Sequence, residues 1–296
     1  MITKIVLPFL IFLLFSCAQS DKNEIYVLSS PNGSNTIKFE LKNATPYYSL
    51  LHKDSTVISS SLLGFVFKNR DTLAGNFKIV KIDTTSFDET WEQVWGEKRY
   101  IKNNYRQLSA TLEEVSGEKK RKLEIQFRAF DDGIAFRYLF PEQGLKDSIF
   151  IMDELTEFNL RSDGEAWWIP AYQDNRYEYL FTRSAVSTLD TVHTPLTIKS
   201  KNGLFLSFHE ANLKDFASMT LARTTGTQLK CDLVPWADGV KVKAKNGFTS
   251  SWRTIQVAET PGDLITSYLI LNLNDPGKIE DTSWIKPHKY LGIWWG

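Results

Sequence analysis

Cysteine is almost missing from this chain: 296 residues contain only Cys17 and Cys231. Cys17 belongs to an N-terminal export segment described below, so no internal disulfide and no Cys/His metal cluster can hold the fold. A surplus of charge is missing too. Lys and Arg total 35 and Asp and Glu total 35, which excludes the concentrated basic surface that nucleic acid requires. Nor are the short catalytic signatures present: there is no Gly-x-Ser-x-Gly elbow, no phosphate-cradling glycine loop and no His-Glu-x-x-His. His52, His193, His209 and His288 are scattered, and no Ser/His/Asp set follows from their spacing. No long amphipathic helix is evident; Glu89–Trp95 and Glu210–Phe216 suit a turn or two of helix each. No internal period suggests a propeller or solenoid, and no Pro/Ser-rich linker divides the middle of the chain.

What is there begins with an address. Lys4 precedes the apolar run Ile5–Phe15, which is too short to span a bilayer and reads as a signal peptide. The run closes on Leu14-Phe15-Ser16-Cys17, and the chain then turns small and polar from Ala18 to Glu24. That ending resembles the lipobox of bacterial lipoproteins. It implies a signal peptide over residues 1–16, lipidation of Cys17 and a tether over 17–23. Acyl chains would hold the protein on a membrane without a spanning helix, facing the periplasm or the outer-membrane surface. An ordinary signal peptide with a chance cysteine is the alternative.

The remainder carries 42% hydrophobic and 13% aromatic residues, enough for a substantial core. Period-two alternation recurs throughout, as in Ile37/Phe39/Leu41, Leu123/Ile125/Phe127 and Ile134/Phe136/Tyr138. Asn32-Gly33, Asp132-Gly133, Asn202-Gly203 and Asn246-Gly247 each separate two such runs, and these pairs accept the positive φ of tight hairpin turns. The pattern predicts an all-β domain over residues 24–280: one large two-sheet β-sandwich whose last strand ends at Asp275-Pro276-Gly277. Lys119-Lys120-Arg121-Lys122 reads as a solvated hairpin tip.

Residues 281–296 differ. Trp284–Lys289 reads as a connector, and Tyr290–Gly296 is continuously apolar with no polar face. Such a strand belongs inside a parallel sheet or barrel, so the expectation is a chain stopping at the first strand of a further domain.

The densest concentration of unusual residues is Ala166-Trp167-Trp168-Ile169-Pro170-Ala171-Tyr172, followed by Asp174-Asn175-Arg176-Tyr177-Glu178-Tyr179. Aromatic faces can stack on the C–H surfaces of sugar rings while carboxylates and Arg engage hydroxyls. Composition equally allows aromatics in the core and charges on a solvated loop. Trp91 and Trp95 near Glu97, and Trp252 beside Arg253, carry the same two readings. Acidic residues are too numerous for a catalytic carboxylate pair to be selected from sequence.

Several stretches together resemble the N-terminal region of glycoside hydrolase family 97. They are Trp91-Glu92-Gln93-Val94-Trp95-Gly96-Glu97 with Asn103-Asn104-Tyr105; Phe127–Tyr138 around Asp131-Asp132-Gly133; Thr194-Pro195-Leu196-Thr197; Glu210-Ala211-Asn212-Leu213; Ser251–Ile255; and Ser283-Trp284-Ile285-Lys286-Pro287. Members are α-glucosidases and α-galactosidases, many from Bacteroidota. The resemblance implies a super-sandwich followed by a (β/α)₈ barrel that holds the catalytic residues, so none lies in this chain, and substrate-binding residues stay unassigned. It further implies a calcium site shared with that barrel, to which Glu178 would give one ligand; a solvated glutamate is the alternative. The implied partners are an α-glucoside or α-galactoside oligosaccharide, the downstream barrel and, through the anchor, a membrane. His288 departs from the glycine expected after Lys286-Pro287, which bears on the domain boundary. A free-standing sugar-binding lipoprotein is the second hypothesis and an adhesin-like structural module the third.

Overall fold

The computed structural model describes residues 24–68, 71–116, 120–144, 148–173, 178–289 and 291–292. Residues 1–23, which carry the expected signal peptide and Cys17, lie outside the described residues, as do Asp174–Tyr177 and most of the apolar end, Tyr290 and 293–296. Leu291 and Gly292 are in no strand.

The strands follow one another as β1 (Ile25–Ser29), β2 (Asn35–Lys42), β3 (Thr45–His52), β4 (Ser55–Leu62), β5 (Phe65–Phe67), β6 (Thr72–Leu73) and β7 (Phe77–Glu92). Next come β8 (Tyr100–Glu114), β9 (Lys122–Phe130), β10 (Gly133–Leu139), β11 (Ser148–Glu154), β12 (Glu157–Asn159), β13 (Gly164–Trp168) and β14 (Thr182–Ala185). The last seven are β15 (Thr191–His193), β16 (Leu196–Ser200), β17 (Phe205–Ala211), β18 (Met219–Arg223), β19 (Gln228–Leu233), β20 (Val242–Lys245) and β21 (Trp252–Ala258).

The expected two-layer sandwich is present. One layer is a nine-stranded antiparallel sheet, β14-β13-β16-β17-β21-β10-β9-β8-β7. The other consists of three four-stranded sheets, β1-β2-β3-β4, β12-β19-β18-β15 and β20-β11-β5-β6. Strands of two or three residues, such as β6, β12 and β15, cannot extend one continuous ladder. The small sheets instead meet edge to edge, through an Ile58–Leu160 bridge between β4 and the end of β12. The chain runs from β11 into β12 over Leu155 and Thr156. Leu155 N bonds Gly64 O and Cys231 N bonds Thr156 O, each at 2.8 Å, which extends the β5–β11 and β12–β19 ladders to that junction.

Aromatic rings knit the layers together. From the nine-stranded sheet, Phe127 meets Phe39 at 5.4 Å, Phe136 meets Tyr48 at 4.8 Å, Tyr138 meets Phe65 at 4.6 Å and Phe208 meets Phe158 at 5.4 Å. Each of the three smaller sheets therefore contributes a ring to the same core. Burying such side chains stabilises the fold by about 1.5–3 kcal/mol apiece.

Three of the four expected hairpins form: β1–β2 at Asn32-Gly33, β9–β10 at Asp132-Gly133 and β16–β17 at Asn202-Gly203. Asn246-Gly247 does not join a hairpin. β20 pairs with β11, while β21 pairs with β10 and β17 in the opposite layer. The Asn246 side chain bonds Gln143 through Nδ2 to O at 2.5 Å, and Phe140 N reaches Phe248 O at 2.9 Å, so this turn carries the chain across the sandwich.

Glu89–Trp95 and Glu210–Phe216 are not helical. Their first residues finish β7 and β17, where Trp91 opposes Ile101 and Glu210 points inward. The helices lie later, as α1 (Pro261–Ile265) and α2 (Leu269–Asn272), so the segment before Asp275 is not strand. Thr260 and Asp263 form a reciprocal capping box with Pro261 at the first turn. Both helices cover the outer face of β17 and β21, and Leu269 and Leu273 close a satellite core with Tyr105, Phe130 and Trp252. β21 is consequently buried on both faces.

The basic run is also not wholly solvated. Lys119 lies outside the described residues and Lys120 is exposed, but Arg121 is buried. Its guanidinium grips Glu114 at 2.7 and 2.8 Å, Asp71 at 2.8 Å and Thr72 O at 2.8 Å. Fork-shaped geometry lets one Arg tie the β8–β9 hairpin to the β5–β6 edge.

Candidate functional site

The Trp-Trp pair sits on β13, next to the edge of the nine-stranded sheet, and the pleat divides it. Trp168 turns inward, packing on the core and donating from Nε1 to Ser184 Oγ at 3.1 Å. Trp167 turns outward under Arg183, 5.6 Å from the ring centroid, and Arg183 pairs with Glu165 at 2.6 Å. Beyond β13 the chain leaves this sheet for the other layer. Ala171 N bonds Thr191 O at 2.9 Å and His193 N bonds Ile169 O at 3.1 Å.

Tyr172 then takes a left-handed conformation, φ 58°, and donates its hydroxyl to Asp232 Oδ2 at 2.9 Å. Asp232 in turn holds Lys241 Nζ at 2.5 Å, and Lys241 reaches Asp153 at 3.2 Å. Burial and the neighbouring Asp232 carboxylate push the Tyr172 phenol upward. Burial disfavours the Lys241 ammonium, but Asp232 and Asp153 outweigh it and raise its pKa. This relay fixes Tyr172 to β19 through Asp232.

Asp174 and Arg176 lie outside the described residues. Glu178 is exposed and irregular, with no hydrogen bond or ion pair among the described residues. It is followed by Tyr179, Leu180 and Phe181, of which Leu180 is 92% and Phe181 67% exposed. Among the described residues Glu178 is thus a carboxylate without a partner, beside an exposed apolar stretch. Among the described residues, no three Asp, Glu, His or Cys side chains gather where they could hold a metal ion. Glu178 can therefore offer a hard cation one carboxylate, not a complete set of six to eight oxygens.

The other aromatic candidates separate by role. Trp91 donates from Nε1 to Asn272 Oδ1 at 2.9 Å, fastening β7 to α2, whereas Trp95 is exposed at the hairpin tip near Glu97. Trp252 is buried on the outer face, with Arg128 and Arg137 at 4.6 and 4.3 Å from its centroid. Arg253, one residue on, points the opposite way into the sandwich interior. The histidines do not converge: they lie on β3, β15, β17 and the connector. His52 Nδ1 meets Asn35 Oδ1 at 2.8 Å, and burial lowers the pKa of His193 and His209.

A buried cluster escaped the sequence reading. Arg253 is bound by Glu154 and Glu210, contributed by β11 and β17. Pairing partners that lie 99 and 43 positions away leave no local sequence signal.

The family model for the glycosyl-hydrolase 97 N-terminal region matches residues 28–276. A retaining alpha-galactosidase of Bacteroides thetaiotaomicron is 22% identical over 323 residues, an alignment covering 98% of this chain and 47% of that protein. A glycoside hydrolase family 97 enzyme from Pseudoalteromonas sp. strain K8, solved with panose, superposes with a TM-score of 0.85 at 39% identity. That match covers 88% of this chain and 40% of the enzyme. A beta-arabinopyranosidase shares the fold at 21% identity and a TM-score of 0.72, covering 79% of this chain and 40% of the other. The chain spans less than half the length of these relatives.

Proposed function

The chain belongs to the family of glycosyl-hydrolase 97 N-terminal domains, and from that premise we propose that it serves as the non-catalytic front domain of a longer enzyme cleaving α-linked galactosides or glucosides. One observation carries the reading: 39% identity across 88% of the chain to an enzyme solved with the oligosaccharide panose. The curated relative named as a retaining alpha-galactosidase points to the same bond class. In this reading the sandwich end bearing Tyr172 and Glu178 forms a wall of the substrate cleft.

Glu178 would supply one ligand to a calcium ion. Its support is an exposed carboxylate with no ion pair among the described residues, six positions after Tyr172, which Asp232 holds in place. The remaining oxygens would come from the catalytic portion, since calcium takes six to eight. Bound there, the ion would place positive charge where a leaving or attacking oxygen develops negative charge. At the other end of the chain, Leu14-Phe15-Ser16-Cys17 supports export and lipidation at Cys17.

The test compares the longer protein with residues 18–296 alone on aryl α-galactosides and α-glucosides. Hydrolysis by the longer protein and none by the fragment is expected. Turnover by the fragment, or none by the longer protein on either substrate class, overturns the reading. Glu178→Gln in the longer protein should weaken the dependence of activity on calcium; an unchanged calcium profile removes Glu178 from the site.

A further inference from the structure

A groove of about 860 Å³ opens on the layer of small sheets, where the end of β19, the strand β20 and the 214–218 loop converge. Its floor is apolar, made by Phe216, Val234, Val242 and Phe248. One wall carries Trp236, which is 62% exposed although an indole is among the most costly side chains to leave in water. The ring is not on a loose loop. Trp236 N bonds Val240 O at 2.8 Å, Gly239 N bonds Trp236 O at 2.8 Å, and Asp238 Oδ1 accepts from Val240 N at 3.2 Å.

The rim holds Lys214, Lys241, Lys243 and Lys245, and their pairing decides what the groove can take. Lys214 pairs with Asp275, Lys241 with Asp232 and Asp153, and Lys243 with Asp238 at 2.7 Å. Lys243 also stands 5.4 Å from the Trp236 centroid. Lys245 makes no ion pair among the described residues, and neither does Asp215 on the same rim, so the two offset each other. An anionic ligand would meet no excess of positive charge. The groove instead offers an aromatic plane, an apolar floor and a ring of hydrogen-bonding groups with no surplus charge. That combination matches a ligand with C–H faces and hydroxyl edges, and binding sites of this size are usually apolar with few polar groups.

We propose that this groove binds a neutral oligosaccharide, with Trp236 as the stacking platform and the lysine rim engaging hydroxyls. The proposal rests on the reading that the domain serves a carbohydrate-cleaving enzyme and names a binding site within it. The Asp232–Lys241 pair joins this groove to Tyr172.

The experiment titrates the full chain with maltoheptaose and, in parallel, with an oligogalacturonate, by calorimetry and indole fluorescence. Maltoheptaose should bind and the oligogalacturonate should bind more weakly. Trp236→Ala should weaken maltoheptaose at least about tenfold, the loss expected for one stacked aromatic, with Trp236→Phe intermediate. Unchanged circular dichroism of both variants would separate lost binding from lost folding. Failure of wild type to bind, tighter binding of the oligogalacturonate, or equal affinity in Trp236→Ala each overturns the proposal. Should the longer protein still hydrolyse α-glycosides in that event, the groove assignment alone falls. Should the groove bind maltoheptaose while the longer protein is inert, the enzymatic reading falls and the binding site stands.

Discussion

Arg253 Nη2 lies 2.6 Å from Glu154 Oε2, and both side chains are fully buried. A second contact, Nε to Oε1 at 2.9 Å, makes the pair bidentate, while Nη1 reaches Glu210 Oε2 at 2.9 Å. The carboxylates are committed further. Thr156 Oγ1 donates to Glu154 at 2.8 Å, and Glu210 Oε1 accepts Met219 N at 2.9 Å. Arg253 and Glu210 belong to the nine-stranded sheet, Glu154 to β11, and Met219 opens β18. One guanidinium therefore fastens three sheets across the sandwich.

Removing that guanidinium leaves two buried carboxylates without their cation. Arg253→Met should lower stability by about 3–5 kcal/mol, because breaking a buried pair costs far more than the pair contributes over an apolar substitute. Urea unfolding followed by circular dichroism measures it, and a loss below about 1 kcal/mol would show that the cluster is solvated. Glu154→Gln keeps the shape but replaces one acceptor oxygen with an amide donor facing the guanidinium. Because Glu210 still pairs with Arg253, it should cost less than Arg253→Met.

Gly133 is required by proximity, not only by its turn. A Cβ there would stand 2.4 Å from Ile255 O and 2.8 Å from the Gln256 Cα, and its φ is +152°. Those atoms are backbone of β21 and cannot swing aside. Gly203 has φ +90° but nothing within 4 Å of its Cβ position. Gly203→Ala should cost about 1 kcal/mol from backbone strain alone, and Gly133→Ala clearly more, about 2–4 kcal/mol, because strain and overlap combine. Equal denaturation midpoints for the two variants would refute the close-approach account.

The contrast between these glycines also shows where sequence reading succeeds. Asp132-Gly133 marks its hairpin because turn geometry is a property of two adjacent residues and the alternating runs beside them. Asn246-Gly247 carries the same local signal, yet β20 and β21 find partners in different layers, and partner choice is set by β11, β10 and β17 far along the chain. Arg121 looked solvated for a similar reason: Glu114 is close in sequence, but Asp71 and Thr72 are not. Thr260-Pro261 with Asp263 is a helix start legible in the sequence, yet alternation makes the stretch up to Asp275 read as strand. Glu178 was singled out by resemblance, since nothing in its own surroundings distinguishes it. Trp236 could be noticed only once the floor of its groove had been assembled from four separate segments.

Two phenols buried in the core should weaken the fold at alkaline pH. Tyr48 and Tyr138 are both fully buried, and burial pushes each pKa well above the ordinary 10.0. Tyr48 donates to Glu157 O at 2.9 Å; Tyr138 lies 2.6 Å from Thr156 Oγ1, whose proton is already given to Glu154, so the phenol must be the donor. The native state thus holds both protons at a pH where the unfolded chain releases them. A group whose folded pKa is raised contributes stability that is intact below the unfolded value and is lost as pH climbs above it. Unfolding free energy should accordingly decline above about pH 10. Exposed tyrosines should ionise there reversibly, while these two ionise only with loss of the near-ultraviolet dichroism. Tyr138→Phe should soften the alkaline decline and cost about 0.5–1.5 kcal/mol at neutral pH for the missing hydrogen bond. Ionisation of every tyrosine before any structural transition would contradict a sealed core around Phe65, Phe136 and Thr156.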